Sequence, residues 1–486
     1  MKRALAAIAC AAFCACGHPA FAFDAKNLPA PKGEQVWFAE DHTLPMIAMV
    51  AALPAGSGYD PVAKPGLASF AADLLDEGAG KLNSQAFHTA LSNRAIRLSV
   101  SVERDYMIVQ LVTLSENAKD AFQLLGEALA HPRFEAEAIN RTRTQILSGL
   151  EQDDEDPATV AAKGFFRAYF HDHPYAHSVS GDPKSVMAIQ AGDLKAFAAT
   201  HWVQPGLKVS VSGDVNAVTL QSLLQSAFGG MPARMPPFVP LVGRIGQTGV
   251  SVIPMPVAQS VAVFGLPGML RNDRDFIPGY VANYILGGGG FSSRLTTEVR
   301  VKRGLTYDIS TSLDALHRAG YVAGQVATKR GSMRETISVV QQTLQDFASN
   351  GPTDKELADA KTYLTGAFPL AFGSNVGIAG QMNAFQRAGL DIGYLTRRNA
   401  LINAVTVDDV KRAAKRLFNP QRMTVVVAGT MEGGAAPSPP QPGVDKPAAV
   451  ATPMKPAPRR TSVPATASKP KANRPERPAA TLAPAH

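Results

Sequence analysis

Cysteine is nearly missing from this chain of 486 residues: the three it has, Cys10, Cys14 and Cys16, all fall in the first sixteen positions. That stretch reads as a secretory signal peptide over residues 1–22. Lys2 and Arg3 start it, an apolar run from Ala4 to Cys16 follows, too short to span a bilayer, and Ala20-Phe21-Ala22 supplies a small-x-small cleavage site. Anchoring as a lipoprotein through Cys16 fits less well, because Phe13-Cys14-Ala15 is a poor lipobox. Once the leader is removed, no cysteine remains. Disulfides, a thiolate zinc site and a cysteine nucleophile are then excluded, and the fold must hold by its core alone. The expected location is the periplasm or beyond.

Charge is also scarce where it would matter. The formal balance is +8, but residues 433–486 carry eight basic against two acidic side chains, hence +6, and Lys2 and Arg3 add +2. The remainder is near neutral, which gives no argument for a nucleic-acid-binding body. The tail, rich in Pro, Ala, Lys and Arg, has too few large apolar side chains to offset chain entropy and is expected to be disordered. Its charge suits contact with anionic envelope surfaces, although a solubilising extension is the plainer reading. Histidine leaves a third gap: none occurs between His42 and His88.

What is present reads as an α+β pattern repeated once. In the first half, strands are expected at Val36–Phe38, Met46–Ala52 and Leu207–Ser212. A hairpin is expected from Ile96–Val102 and Tyr106–Leu114, turning at Glu103-Arg104-Asp105. Helices are expected at Gly66–Leu75, Ser84–Asn93, Ala118–Ala130 and Glu135–Gln152. In the second half, strands are expected at Val250–Pro254, Ser260–Gly265, Thr306–Ser312, Ala319–Ala327 and Arg422–Ala428. Helices are expected there at Asp275–Ile285, Arg294–Val301, Met333–Asn350 and Asp354–Phe368. A Pro-rich join from Gly230 to Pro240 separates them. The expected organisation is two homologous domains, 23–235 and 236–432, each a mixed, mostly antiparallel sheet with helices on one side.

The segment Ile285-Leu286-Gly287-Gly288-Gly289-Gly290-Phe291-Ser292-Ser293-Arg294-Leu295, continuing through Glu298-Val299-Arg300-Val301-Lys302-Arg303-Gly304-Leu305-Thr306-Tyr307, closely resembles the C-terminal half-domain signature of the insulinase/pitrilysin (M16) peptidases. The helix beginning Gly66-Leu67-Ala68 and the stretch His201-Trp202-Val203-Gln204-Pro205 fit the same family, and the resemblance covers roughly residues 30–432. Active members carry H-x-x-E-H on the first helix of the first half. Two His at i and i+4 bind zinc, the Glu polarises a metal-held water, and a Glu on a later helix is the third ligand. Here the helix reads Gly66-Leu67-Ala68-Ser69-Phe70-Ala71-Ala72-Asp73. Ser69 and Asp73 stand at the His positions, Ala72 at the base and Gly149 at the third ligand. A methyl group cannot take a proton, and loss of a general base costs about 10²–10⁴-fold. The resemblance therefore implies no zinc in this chain and no hydrolysis by it alone.

Other constellations are weaker. Asp73, Asp76 and Glu77 share a helical face and could hold a hard cation, but read more simply as a solvated face. His171, His173 and His177 look like ligands, yet Pro174 breaks any helix that would align them. The acidic run Glu151–Asp156 reads as a helix end and loop before Pro157. The four glycines 287–290 lack the Lys-Ser/Thr of a phosphate loop. What the resemblance leaves intact is a pair seven residues apart, Arg300 and Tyr307, which in the family reaches toward the zinc site, binds substrate carbonyls and stabilises the oxyanion. Some bacterial members are heterodimers that divide the zinc site and this pair between subunits. The expected role is then the subunit that supplies Arg300 and Tyr307 to a zinc-bearing H-x-x-E-H partner acting on extended peptides; the candidate edge for pairing with them, Ile96–Val102, is idle if the first half no longer cuts. The competing reading is a metal-free scaffold or peptide-binding protein, for which a surviving pair would have no use, and an autonomous zinc peptidase would need relocated ligands that the sequence does not offer.

Overall fold

Two sheets with the same internal order organise the protein. The computed structural model describes residues 24–30, 34–242 and 248–431; the expected leader (1–22) and tail (433–486) lie outside the described residues. The first sheet is built from β1 (Ala25–Leu28), β2 (Gln35–Glu40), β3 (Met46–Leu53), β6 (Arg97–Val102), β7 (Met107–Leu114) and β8 (Lys208–Gly213), in the order β1-β2-β8-β3-β7-β6. A two-residue hairpin, β4 (Gly78–Ala79) with β5 (Leu82–Asn83), stands apart. The second sheet contains β9 (Gly249–Ile253), β10 (Gln259–Pro267), β11 (Thr306–Ala315), β12 (Gly320–Lys329) and β13 (Thr424–Ala428), in the order β11-β12-β10-β13-β9. Each sheet has one parallel pair, β2 with β8 and β9 with β13, and its other neighbours are antiparallel. The second sheet thus repeats β2-β8-β3-β7-β6 strand for strand, and β1 is an addition to the first.

The helices of the first half are α1 (Leu67–Asp73), α2 (Ser84–Ser92), α3 (Ala118–Ala130), α4 (Ala136–Glu155), α5 (Pro157–Phe170), α6 (Pro183–Ala188), α7 (Ala191–His201) and α8 (Ala217–Phe228). Those of the second are α9 (Phe276–Asn283), α10 (Met333–Asn350), α11 (Asp354–Gly366), α12 (Asn375–Arg387), α13 (Tyr394–Ala404) and α14 (Val407–Leu417). The acidic run before Pro157 does not end in a loop. Asp156 accepts from the N–H groups of Ala158 (3.3 Å) and Thr159 (2.9 Å). Pro157 takes the first helical position, where its missing N–H is harmless, so one helix passes directly into the next.

Helices line one face of each sheet, as the sequence pattern requires, and the opposite face is also covered. On the first sheet α12, from the second half, lies across β2, β3 and β8; on the second sheet α5, from the first half, lies across β10 and β13. This exchange explains why β3 is buried along nearly its whole length instead of alternating. Polar anchors fix α12. Asn383 Nδ2 donates to the carbonyls of Val50 (3.2 Å) and Lys208 (2.9 Å). Gln386 Nε2 donates to those of Gln35 (3.0 Å) and Val209 (3.1 Å), and Ser210 Oγ donates to Gln386 Oε1 (2.7 Å). The turn Glu103-Arg104-Asp105 is likewise an inter-half contact. Asp105 accepts from the N–H of His317 at 2.8 Å and Glu103 pairs with Arg387 at 2.6 Å, while within the first half Asp105 accepts from the Tyr175 hydroxyl and Arg104 lies over Phe166.

Seating α5 requires a strand without side chains at one point. A Cβ on Gly265 would meet Phe165 Cζ at 2.3 Å and the carbonyl oxygen of Val322 at 2.9 Å. Gly265→Ala is therefore expected to lift α5 off the second sheet at a cost of roughly 1–3 kcal/mol, the range for overpacking a filled core. Urea unfolding checks this; a midpoint equal to that of the parent chain would show that α5 does not need the gap.

Candidate functional site

The degenerate helix comes first. α1 begins at Gly66, whose φ of 89° is left-handed and whose Cβ would strike the Ser180 carbonyl at 2.8 Å, so glycine is required there. Asp60 caps the helix from a distance, accepting from the N–H groups of Gly66 and Ala68, both at 2.7 Å. Burial pushes its carboxyl up to about 8, against the pull of those two donors. Along the helix, Ser69 is buried, Ala72 is 1 % exposed within the first-half core, and Asp73 is half-buried. α1 packs against α4, on which Gly149 leaves open space where a side chain would stand. A hydroxyl, a methyl, one carboxylate and a hydrogen do not form the donor set of a zinc peptidase, and no group at position 72 can accept a proton. The four positions do not fit zinc.

The other candidate ligands separate. α1 stops at Asp73, so Asp76 and Glu77 lie beyond it and the three do not share one helical face. Among the described residues, the one group of three potential ligands within 4.8 Å of one another is Asp76, Glu77 and His88. There Glu77 is already ion-paired with Arg141 and accepts from Ser84 Oγ at 2.5 Å. The three histidines turn to different neighbours. His171 is exposed at the end of α5, His173 Nε2 lies 2.9 Å from the Pro240 carbonyl, and His177 sits 3.9 Å from Asp60, its pKa lowered by burial.

The second-half motif has a different character. After α9 the chain makes a wide π-type turn over Tyr284–Gly288, and Gly287 presses on β11: a Cβ there would lie 2.3 Å from Thr311 Oγ1. A short turn, Gly290–Ser292, then carries Phe291 out to 75 % exposure. The expected helix Arg294–Val301 is another π-type turn, Thr296–Val301, tied down by Arg294, which grips Glu356 with two bonds (2.6 and 2.7 Å). Three basic side chains follow within four residues. Glu298 accepts from Lys302 Nζ at 2.6 Å and Arg303 Nη1 at 2.8 Å, and both cations hold its carboxyl below the ordinary range. Arg300 has no carboxylate within ion-pair distance among the described residues. Its guanidinium carbon lies instead 4.6 Å from the Phe291 ring centre and 4.7 Å from that of Tyr307.

Tyr307 owes its direction to a flaw in the sheet. The register of β11 against β12 slips between Thr306 and Ile309, so Tyr307 and Asp308 both point outward and Tyr307 is 83 % exposed. The structure thus sets the guanidinium of half-buried Arg300 over the ring of Tyr307 and leaves the tyrosine side chain exposed. A fixed cationic fork beside a hydroxyl donor can hold a carbonyl oxygen and favour it as negative charge develops. Sequence reasoning passed over Phe291. Its one signal was a large apolar side chain placed directly after four glycines, where no core could receive it.

Comparison with known proteins agrees with this architecture. Residues 37–183 match the family model described as insulinase (peptidase family M16), and residues 188–364 match the one described as peptidase M16 inactive domain. The chain is 28 % identical over 336 residues to a "non-peptidase homolog" of Helicobacter pylori, covering 69 % of this chain and 78 % of that one. It is 25 % identical over 363 residues to an "uncharacterized zinc protease" of Mycobacterium leprae, covering 73 % and 80 %. Among solved structures, a peptidase M16 inactive domain from Pseudomonas fluorescens superposes with a TM-score of 0.79 at 28 % identity, over 84 % of this chain and 98 % of that one. A protease from Helicobacter pylori superposes with a TM-score of 0.77 at 18 % identity, over 84 % and 100 %, a likeness of fold.

Proposed function

Because this chain belongs to the insulinase (M16) peptidase family, we propose that it is the metal-free subunit of a two-subunit periplasmic peptidase. In this reading Arg300 and Tyr307 bind peptide carbonyls and stabilise the transition state in the zinc site of an H-x-x-E-H homologue. The observation that carries it is the state of Arg300. Its basic neighbours are neutralised by Glu298, while Arg300 has no carboxylate counter-charge among the described residues and lies over two rings. A structural arginine in this family of contacts would be tied, as Arg294 is to Glu356. The name of the Helicobacter relative, a non-peptidase homolog, supports the division of labour. The partner brings the metal and the base; this chain brings donors that are worth most once water is excluded from a shared chamber. Residues 1–22 would direct export, which places both subunits outside the cytoplasm.

The test is to express the mature chain alone and together with an H-x-x-E-H homologue from the same genome, and to measure bound zinc and cleavage of an unstructured quenched-fluorescence peptide. The expected result is no stoichiometric zinc and no cleavage by the chain alone, with a stable pair that cleaves faster than the homologue by itself. Stoichiometric zinc, or cleavage by the lone chain that survives repurification, overturns the proposal. Co-purification without any stimulation favours a scaffold instead.

A further inference from the structure

We infer that Phe291 is a positioning residue for Arg300, holding the guanidinium so that its N–H edge faces substrate; this rests on the function proposed above. A half-buried arginine with no counter-charge among the described residues still has several rotamers open to it, and fixing it costs conformational entropy. Here that cost is met by two aromatic faces, 4.6 Å and 4.7 Å from the guanidinium carbon, both within cation–π range. Tyr307 is one of them. Phe291 is the other, and packing does not account for its place, since it is three-quarters exposed and lies outside the second-half core. The chain is bent to put it there. Gly290 is left-handed at φ 57° with open space around its Cβ position, so the requirement at 290 is for the turn and not for room. Ser292 Oγ donates back to the Gly289 carbonyl at 2.9 Å and closes the turn.

Contacts with ring faces use none of the guanidinium's N–H donors, which stay available to a substrate. The geometry therefore asks for an aromatic face at 291, whatever its polarity, and an aliphatic side chain of similar bulk does not replace it. That requirement separates positioning from mere surface coverage.

The experiment uses the full mature chain paired with its H-x-x-E-H homologue and the same unstructured fluorogenic peptide. Phe291→Leu and Phe291→Ala are expected to lower kcat roughly fivefold, the worth of one exposed cation–π contact, and Phe291→Trp to keep it near the parent value. On an Arg300→Ala background, Phe291→Ala should add no further loss, since it acts only through Arg300. In the isolated chain, the Arg300 Nε–H resonance should move in Phe291→Leu by the ring-current contribution of Phe291, that of Tyr307 remaining, and should keep a ring-current contribution from position 291 in Phe291→Trp. A Leu variant that matches the parent in both measurements, or a loss that adds fully to that of Arg300→Ala, overturns the inference while leaving the proposed function in place. If Arg300→Ala itself leaves kcat unchanged, the proposed function falls and takes this inference with it.

Discussion

Arg300→Ala is expected to lower kcat of the proposed two-subunit enzyme by about 10²–10³-fold, the range measured for loss of one oxyanion-stabilising donor, with the thermal midpoint of the chain unchanged. The second half of that expectation is as informative as the first. Removing a buried or ion-paired arginine leaves a partner stranded and destabilises the fold. Arg300 has no carboxylate partner among the described residues, so its removal strands no charge, and a substitution at this half-buried surface position is expected to stay within about 0.5 kcal/mol. Tyr307→Phe keeps the ring that stacks on Arg300 and deletes only the hydroxyl, so its loss reports the phenol as donor. Arg300→Lys keeps the charge, loses the planar fork and should fall between parent and alanine. Lys302→Ala and Arg303→Ala serve as controls, because both side chains are spent on Glu298. Equal activity for Arg300→Ala and these controls would mean that the pair is ornamental.

The sequence made the repeat and its site legible to very different depths. Strands such as Met46–Leu53 and Thr424–Ala428 announced themselves by apolar content and flanking turns, and the degenerate helix could be read residue by residue because a ligand set is a statement about side-chain identity. The exchange of α5 and α12 could not be read in that way. An apolar face on a helix says that it packs, but gives no address. Ala161, Phe165 and Tyr169 carry no such address by themselves; it comes from matches such as Gly265 opposite Phe165 and the Leu266 carbonyl that accepts from the Tyr169 hydroxyl. The same limit applied at Tyr307. Alternation along a strand predicts neighbours on opposite faces, and a register slip between Thr306 and Ile309 sets two consecutive side chains outward. The two ring contacts of Arg300 join residues 291, 300 and 307 across a short turn and a π-type turn that follow an earlier π-type turn, and a pattern read as one helix over Arg294–Val301 does not bring the three together.

Ala72→Glu, the substitution that would return a base to the degenerate helix, is expected to destabilise the chain by about 3–5 kcal/mol at neutral pH, on the scale of an uncompensated buried charge. Ala72 is 1 % exposed and belongs to the first-half core together with Ala68, Phe70 and Ala71, so the place a catalytic carboxylate would need is filled by apolar packing. The new carboxyl would respond as buried acids do. Its pKa in the folded chain rises above the unfolded value, because desolvation disfavours the charged form. The folded state then binds a proton that the unfolded state has released. The penalty is therefore smallest at low pH, where both states are protonated, and grows as pH climbs through the ordinary carboxylate range toward the raised folded value. Urea unfolding of the variant and the parent at pH 4 and pH 8 measures this directly: the gap between their midpoints should be wider at pH 8. Equal gaps, or a variant as stable as the parent, would mean that position 72 opens to water. In that case Ser69→His, Asp73→His and Gly149→Glu added to Ala72→Glu would have room to rebuild a zinc site, and the loss of metal would be a matter of four side chains alone. The packed state of Ala72 argues that the loss has been built into the core, which is why reversing those four residues is expected to bring back neither stoichiometric zinc nor hydrolysis.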